Sequence, residues 1–340
     1  MQLVTNSLTK LTFLSNLSLC VNEYKINLEL NNGMAFYIFC LLLNFLNSLK
    51  MRTIEPSELI INSDGSIFHL HLRPNDISKK IILVGDPGRV DTVASFFNRI
   101  EFTTSNREFK TVTGWLNGKR ISVISTGIGT DNIDIVVNEL DALVNIDFET
   151  RQEKSEKQEL TLVRLGTSGA IQADIPIDSF VLTEMAIGFD GLLNFYAGRN
   201  QVCNLEMEAA FLDHTQWNPL CAKPYFVASS AELVKLFEDI AIKGTTISAP
   251  GFYGPQGRIL RIPLADNELN HKVESFRYKD KRITNFEMES SAINGLSRVL
   301  GHKSITICAI IANRVTKKSS PNYKPTVKKL IEVVLNRLTQ

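Results

Sequence analysis

The sequence lacks most of what marks a specialised protein class. Its five cysteines (Cys20, Cys40, Cys203, Cys221 and Cys308) are odd in number and scattered, with no C-x-x-C spacing and no histidine cluster nearby. This argues against a disulfide scaffold or a structural metal, and favours a reducing, cytoplasmic setting. Charge of either sign is not in excess: 37 basic residues face 36 acidic ones, a formal net charge of +1. No whole-chain field gathers nucleic acid or anionic membrane, so any anion site must be local. A membrane-length apolar run is also missing. The stretch "MAFYIFCLLLNFL", Met34 to Leu46, contains an asparagine. It falls short of the roughly 20 residues a spanning helix needs, and it lies too far from the terminus for a simple signal peptide. No internal repeat or low-complexity tract interrupts the chain.

What is present reads as an ordinary globular protein of 340 residues, 44% apolar and 21% charged, enough for one large α/β domain or two smaller ones. Residues 1–50 are poorly patterned and read as an N-terminal extension, an over-long start ahead of a second initiator at Met51; a membrane anchor is the alternative. Residues 51–340 read as one domain. From Lys80 onward β-rich runs alternate with amphipathic segments: "IILVG" leads into "GRVDTVASFF", and "RISVISTGIG" into "TDNIDIVVNELDALV". In the latter, Thr130 or Asp131 can cap a helix whose apolar stripe is Ile133, Val136, Val137, Leu140 and Val144. Residues 145–160 are strongly charged and read as a solvated excursion. "SAELVKLFEDIAIKG" reads as a helix closed by glycine, "EMESSAINGLSRVLG" as a helix closed by Gly301, "SITICAIIANR" as a buried strand, and Thr326 to Leu338 as a C-terminal helix.

Three stretches carry chemistry. In "VGDPGR" a buried-type strand stops at Gly85, and Arg89 stands at the start of the next helix. Turn N–H groups and an arginine fork can hold an oxyanion, although a turn that needs glycine and proline for geometry alone looks the same. In "VRLGTSG", Arg164 lies inside an apolar strand, where a buried guanidinium requires an anionic partner, either one of the chain's own acids or a ligand. Two such arginines in one parallel sheet favour the ligand, because open α/β sheets bind at the C-terminal ends of their strands. In "NFEMES", Glu287 and Glu289 flank Met288 where a strand gives way to a helix. Alone, the acids would suit a solvated first turn that complements the helix dipole.

"VGDPGR", "NREF", "STGIG", "RLGTSGAIQ", "GFYGPQGR", "NFEMES" and "IIANR" stand in the order found in nucleoside phosphorylases of the uridine phosphorylase branch, which the chain resembles over residues 66–340. The resemblance implies a nucleoside phosphorylase-like α/β domain with a central, mostly parallel twisted sheet flanked by helices. It also implies phosphorolysis of pyrimidine ribonucleosides, uridine first, to free base and ribose 1-phosphate. Gly85, Arg89, Arg164 and Thr167 would bind phosphate, with Arg107 of "NREF" supplied by a neighbouring subunit. Glu289 and Met288, assisted by Glu287, would hold the ribose, and His69 would reach its 5′-hydroxyl across a subunit interface. Phe252, Gln256 and Arg258 would stack on and hydrogen-bond the uracil ring; a glutamine offers the donor and the acceptor that an imide edge needs. Among these, Arg89, Arg164, Glu289, Gln256 and Arg258 would carry catalysis. "IIANR" shows Asn313 where purine-specific relatives have an aspartate.

The family's "GIGGPS" is here "GIGTDN", which counts against a monovalent-cation site without closing the question. No metal or organic cofactor is implied, orthophosphate being a co-substrate. The expected partners are a nucleoside, phosphate and further copies of the chain in a homo-oligomer with shared active sites, with no nucleic acid and no membrane. A purine phosphorylase or a nucleosidase is the alternative among enzymes, and a catalytically silent nucleoside-binding protein the alternative outside them.

Overall fold

A computed structural model describes residues 16–21, 24–29 and 52–340. The apolar stretch from Met34 to Leu46 and the second methionine at position 51 lie outside the described residues. Within the first fifty residues, β1 (Asn16–Val21) pairs antiparallel with β2 (Tyr24–Glu29).

Residues Glu55–Gln340 form one compact unit. β3 (Lys80–Val84) leads to α1 (Pro87–Ala94), then β4 (Arg99–Asn106), β5 (Phe109–Leu116) and β6 (Lys119–Ser125). Helix α2 (Thr130–Asn145) is followed by the short strands β7 (Ile146–Asp147) and β8 (Gln152–Glu153), then by β9 (Thr161–Ala170) and β10 (Phe180–Gly188). Next come α3 (Arg199–Val202), α4 (Leu205–Thr215), β11 (Tyr225–Ala228), α5 (Ala231–Phe237) and β12 (Ile242–Ser248). The last elements are α6 (Leu269–Ser275), β13 (Arg277–Tyr278), β14 (Lys281–Glu287), α7 (Ser290–Leu300), β15 (Lys303–Asn313), β16 (Lys318–Ser319) and α8 (Lys324–Thr339).

The expected α/β layout, a central sheet flanked by helices, is what forms. Its centre is parallel: β6, β3, β9 and β15 run together, as do β10, β12 and β14. Antiparallel contacts join the two sets. β10 pairs with β15, and β14 curls back so that Asn285 and Phe286 pair with Ala170 and Gly169 of β9. Five strands thus close on themselves, and the end of β14 is delivered beside the arginine of β9. One apolar core lies beneath α1, α5 and α8. An aromatic core built on Phe189, Phe211, Phe226, Phe276 and Phe286 lies elsewhere in the unit. Helix α7 is buried along Ser290–Ser297.

All five apolar stripe positions of α2 are buried. Its cap differs from the sequence expectation: Gly129, at φ 98°, is the N-cap, and neither Thr130 nor Asp131 caps by side chain. The reason is long-range, because the Gly129 N–H donates to the Glu289 carboxylate at 2.8 Å. A second difference concerns "AIKG", which belongs to a strand and not to the end of a helix. Helix α5 stops at Phe237, and Gly244 sits inside β12, held between β10 and β14. His69 lies in a turn, outside any strand. Among the described residues no helix is long and apolar enough to cross a membrane, and no group of three or more His, Cys, Asp or Glu side chains could hold a metal ion.

Gly244 shows what the β12–β14 contact demands. A Cβ there would stand 2.1 Å from Thr284 Oγ1 and 2.7 Å from Thr284 Cβ, an atom that cannot swing aside in a buried strand. Gly244→Ala should therefore destabilise the fold by about 1–3 kcal/mol through overpacking, read as a lower urea midpoint with an unchanged slope.

Candidate active site

Arg164 enters the interior on β9 and is almost wholly buried. Its Nη2 donates to Glu289 Oε2, and its Nη1 stands 3.4 Å from Glu287 Oε2 and 3.8 Å from Cys308 Sγ. Burial opposes the guanidinium charge, but the two carboxylates outweigh it and hold Arg164 more firmly protonated than usual. Two residues on, Gly166 makes the room: a Cβ there would lie 2.0 Å from Arg164 Nη1.

The two acids do different work. Glu287 is surrounded by donors from its own chain. Its Oε1 accepts from Ser248 Oγ at 2.5 Å, Ser290 Oγ at 2.7 Å and Ser290 N–H at 2.9 Å, and its Oε2 from Glu289 N–H at 3.0 Å. Glu289 accepts one backbone bond, from Gly129, besides the Arg164 contact, and so keeps acceptor positions open. Burial pushes the Glu289 carboxyl up from its ordinary value, with Arg164 pulling against it and Glu287 adding to it.

Beside them opens a cavity of about 990 Å³. Gly85, Arg89, Arg164 and Thr167 are among its lining residues. The first two stand at the end of β3, where Asp86 caps α1 by accepting from Gly88 N–H at 2.9 Å. Arg89 donates to the Leu165 carbonyl at 3.2 Å, and no carboxylate pairs with it among the described residues. Its pKa is lowered by burial and then by Arg164. Two guanidiniums so placed favour a bound anion electrostatically. Glu287, Met288 and Glu289 form a second wall.

Phe252, Gln256 and Arg258 form the third. Gln256 is buried, and its Oε1 accepts from Arg258 Nη1 at 2.6 Å, which leaves the amide N–H donors unspent. The Arg258 guanidinium lies over the Phe252 ring, 3.8 Å from its centroid. Arg314 stacks on Phe286 at 5.4 Å, and its pKa is brought down to about 10 by burial and by Arg258. Sequence reasoning passed over Phe286, Ile311 and Tyr323, which also line the cavity. Phe286 immediately precedes "EMES", the one signal that pointed to it. Asn313 does not face the cavity at all. Its Nδ2 donates to the Gln172 and Ile175 carbonyls at 2.9 Å each, and its Oδ1 accepts from the N–H groups of Val315 and Thr316.

His69 and Arg107 stand apart from this cavity and close to each other. His69 Nδ1 lies 2.6 Å from Glu139 Oε1, and the backbone N–H groups of His69 and Leu70 also donate to Glu139. Asn106 donates to the His69 carbonyl at 2.8 Å, and Arg107, at φ 53°, lies over Phe68 with 5.7 Å to the ring centroid.

Residues 79–338 match the phosphorylase superfamily. The chain belongs to that superfamily. Within it, the chain is 28% identical to the uridine phosphorylase of Thermococcus kodakarensis over 258 residues, 75% of this chain and 80% of that protein. It is 28% identical to the uridine phosphorylase of Haemophilus influenzae over 285 residues, 80% and 96% of the two chains. Among superfamily structures, a Trypanosoma brucei nucleoside phosphorylase described as showing uridine phosphorylase activity superposes with a TM-score of 0.76 at 29% identity, covering 82% of this chain and 99% of that one.

The donors around Glu287 make it a structural keystone of this site. Glu287→Ala should lower unfolding free energy by about 3–5 kcal/mol, because it removes one of the two carboxylates that face Arg164 and leaves several buried donors unpaired. Chemical denaturation read by far-ultraviolet circular dichroism measures it; a loss below about 1 kcal/mol would show that water replaces the carboxylate at no cost.

Proposed function

We propose that this chain is a uridine phosphorylase, a pentosyltransferase that moves the ribosyl group of a pyrimidine ribonucleoside from the base to orthophosphate. The observation that carries this reading is one cavity lined both by two arginines, Arg89 and Arg164, and by a hydrogen-bonded Gln256–Arg258 pair. Phosphate oxygen attacks C1′ as the bond from C1′ to the base nitrogen breaks. The bonding pair leaves with the base, and the products are free base and ribose 1-phosphate.

Gly85, Arg89, Arg164 and Thr167 hold the phosphate, whose charge sits under the sugar as C1′ acquires oxocarbenium character. When phosphate takes a share of Arg164, the Glu289 carboxylate turns its open positions to the ribose hydroxyls, and Met288 packs on the sugar. Glu287, its oxygens already occupied, positions these groups and does not bind the ribose. Phe252 stacks on the base. Gln256 and Arg258 stabilise the negative charge that spreads over the departing ring. The chemistry asks for no metal or organic cofactor, because phosphate itself supplies the stabilising charge. The described cysteines, Cys203, Cys221 and Cys308, are free thiols, which supports a reducing, cytoplasmic setting.

Base release from uridine, thymidine, inosine and adenosine, with and without orthophosphate, tests the function. A purine on the Gln256 edge leaves a donor or acceptor unpaired at about 1–3 kcal/mol each. Uridine should therefore be cleaved far faster than inosine, and only when phosphate is present. Release without phosphate would make the protein a nucleosidase, preference for inosine would overturn the pyrimidine assignment, and no release from any nucleoside would make it a binding protein.

We further propose that each site is completed by a second copy, which contributes His69 of the partner subunit and Arg107 of the partner subunit. That neither residue lines the cavity of its own chain motivates this. Mixing His69→Ala chains with Glu289→Ala chains should restore activity that neither has alone, measured after subunit exchange is verified by mass. Full exchange with no recovery would show that each chain works by itself.

A further inference from the structure

The turn that carries Gln256 has two sides. It is closed by N–H donation from Gln256 to the Tyr253 carbonyl at 3.1 Å, from Gly257 to Gly254 at 2.8 Å and from Arg258 to Tyr253 at 2.8 Å. Phe252, Gln256 and Arg258 face the nucleoside cavity, while Gly254 and Pro255 line a second cavity of about 440 Å³. The two cavities have no lining residue in common. The turn is closely packed: a Cβ on Gly251 would press on Pro255 Cγ at 3.0 Å, and one on Gly257 would lie 2.1 Å from Asn270 Nδ2.

The walls of the second cavity are largely apolar, with Phe189 and Trp217 packed at 4.7 Å between centroids, and Pro250, Pro263 and Leu264 around them. Two carboxylates belong to this lining: Asp266, which is paired with Lys272 at 2.8 Å, and Asp190. Its Oδ1 accepts from Leu192 N–H at 2.8 Å and Tyr225 O–H at 2.9 Å, and its Oδ2 from Ser291 Oγ at 2.9 Å. A carboxylate has about four acceptor positions, so one remains on Oδ2. Burial raises the Asp190 pKa. A concave, mostly apolar site with a few polar groups and a displaced titration is the usual form of a small-molecule site. A second route leads from here to the chemistry: Ser291 N–H donates to Ser248 Oγ at 2.8 Å, and Ser248 Oγ donates to Glu287 at 2.5 Å.

We propose that this second cavity binds a neutral aromatic ring system bearing one N–H or O–H donor, which Asp190 accepts, and that its occupant alters nucleoside binding through the shared turn. Aromatic and proline faces supply the stacking surface, and the free Oδ2 position selects the donor. An anion is disfavoured by Asp190 and by the nearby Asp266. The binding half is independent of which base the enzyme cleaves; the coupling half rests on the uridine reading.

Calorimetry on the full chain, with indole as probe and 1-methylindole as its donor-less control, tests the proposal. Indole should bind once per chain, roughly tenfold tighter than 1-methylindole, with saturating uridine leaving that binding in place and indole shifting the KM for uridine severalfold. Leu264→Trp, which fills the cavity, should abolish the heat; if that variant fails to fold, the uridine competition on the unaltered chain decides. No saturable heat up to the solubility of indole, or full displacement by uridine, would overturn the site. Equal affinity for 1-methylindole would remove Asp190 from it. Indole binding with an unchanged KM would overturn the coupling, and failure to cleave uridine at all would show in the indole-free control and count against the function instead.

Discussion

A guanidinium buried in a β-strand is tolerable only if opposite charge meets it, and much of this molecule is arranged to satisfy Arg164. β14 must curl back onto β9 so that Glu287 and Glu289 arrive within reach, and that pairing closes five strands on themselves. Gly166 gives up its side chain to make room. Ser248 and Ser290, and the backbone at the start of α7, converge on Glu287 so that this acid has no freedom left. A buried ion pair of this kind is a weak source of stability but a strong source of geometry.

Arg164 is thus compensated within the chain, by Glu289 and Glu287. Arg89 has no such internal partner among the described residues, and its charge is held against both burial and Arg164. The two arginines of one cavity therefore differ in kind, one held by the chain's own acids and the other without them.

The layout was legible where it depends on neighbours in sequence. The strand "IILV", the apolar stripe of α2 and the Gly301 stop of α7 follow from local pattern, and the motifs from "GDPGR" to "EMES" end on one cavity. What was illegible depends on partners far along the chain. Gly244 looks like a helix stop until Thr284 is seen packing on it from the next strand. The α2 cap looks like Thr130 or Asp131 until a carboxylate 160 positions away takes the Gly129 N–H. Asn313, noted in sequence only as standing where purine-specific relatives have an aspartate, has its amide used up by four backbone groups away from the cavity. Glu287 resembles Glu289 on paper, and only the count of its donors separates the two.

Helix α2 is anchored at both ends of one functional span. At Gly129 it is tied to Glu289, and ten residues later Glu139 grips the turn that carries His69. An α-helix rises about 1.5 Å per residue, so these two attachment points lie about 15 Å apart along its axis. The interval between the carboxylate of one cavity and the turn that carries His69 is thus gauged by a rigid rod, and loop variation elsewhere in the chain leaves that gauge unchanged.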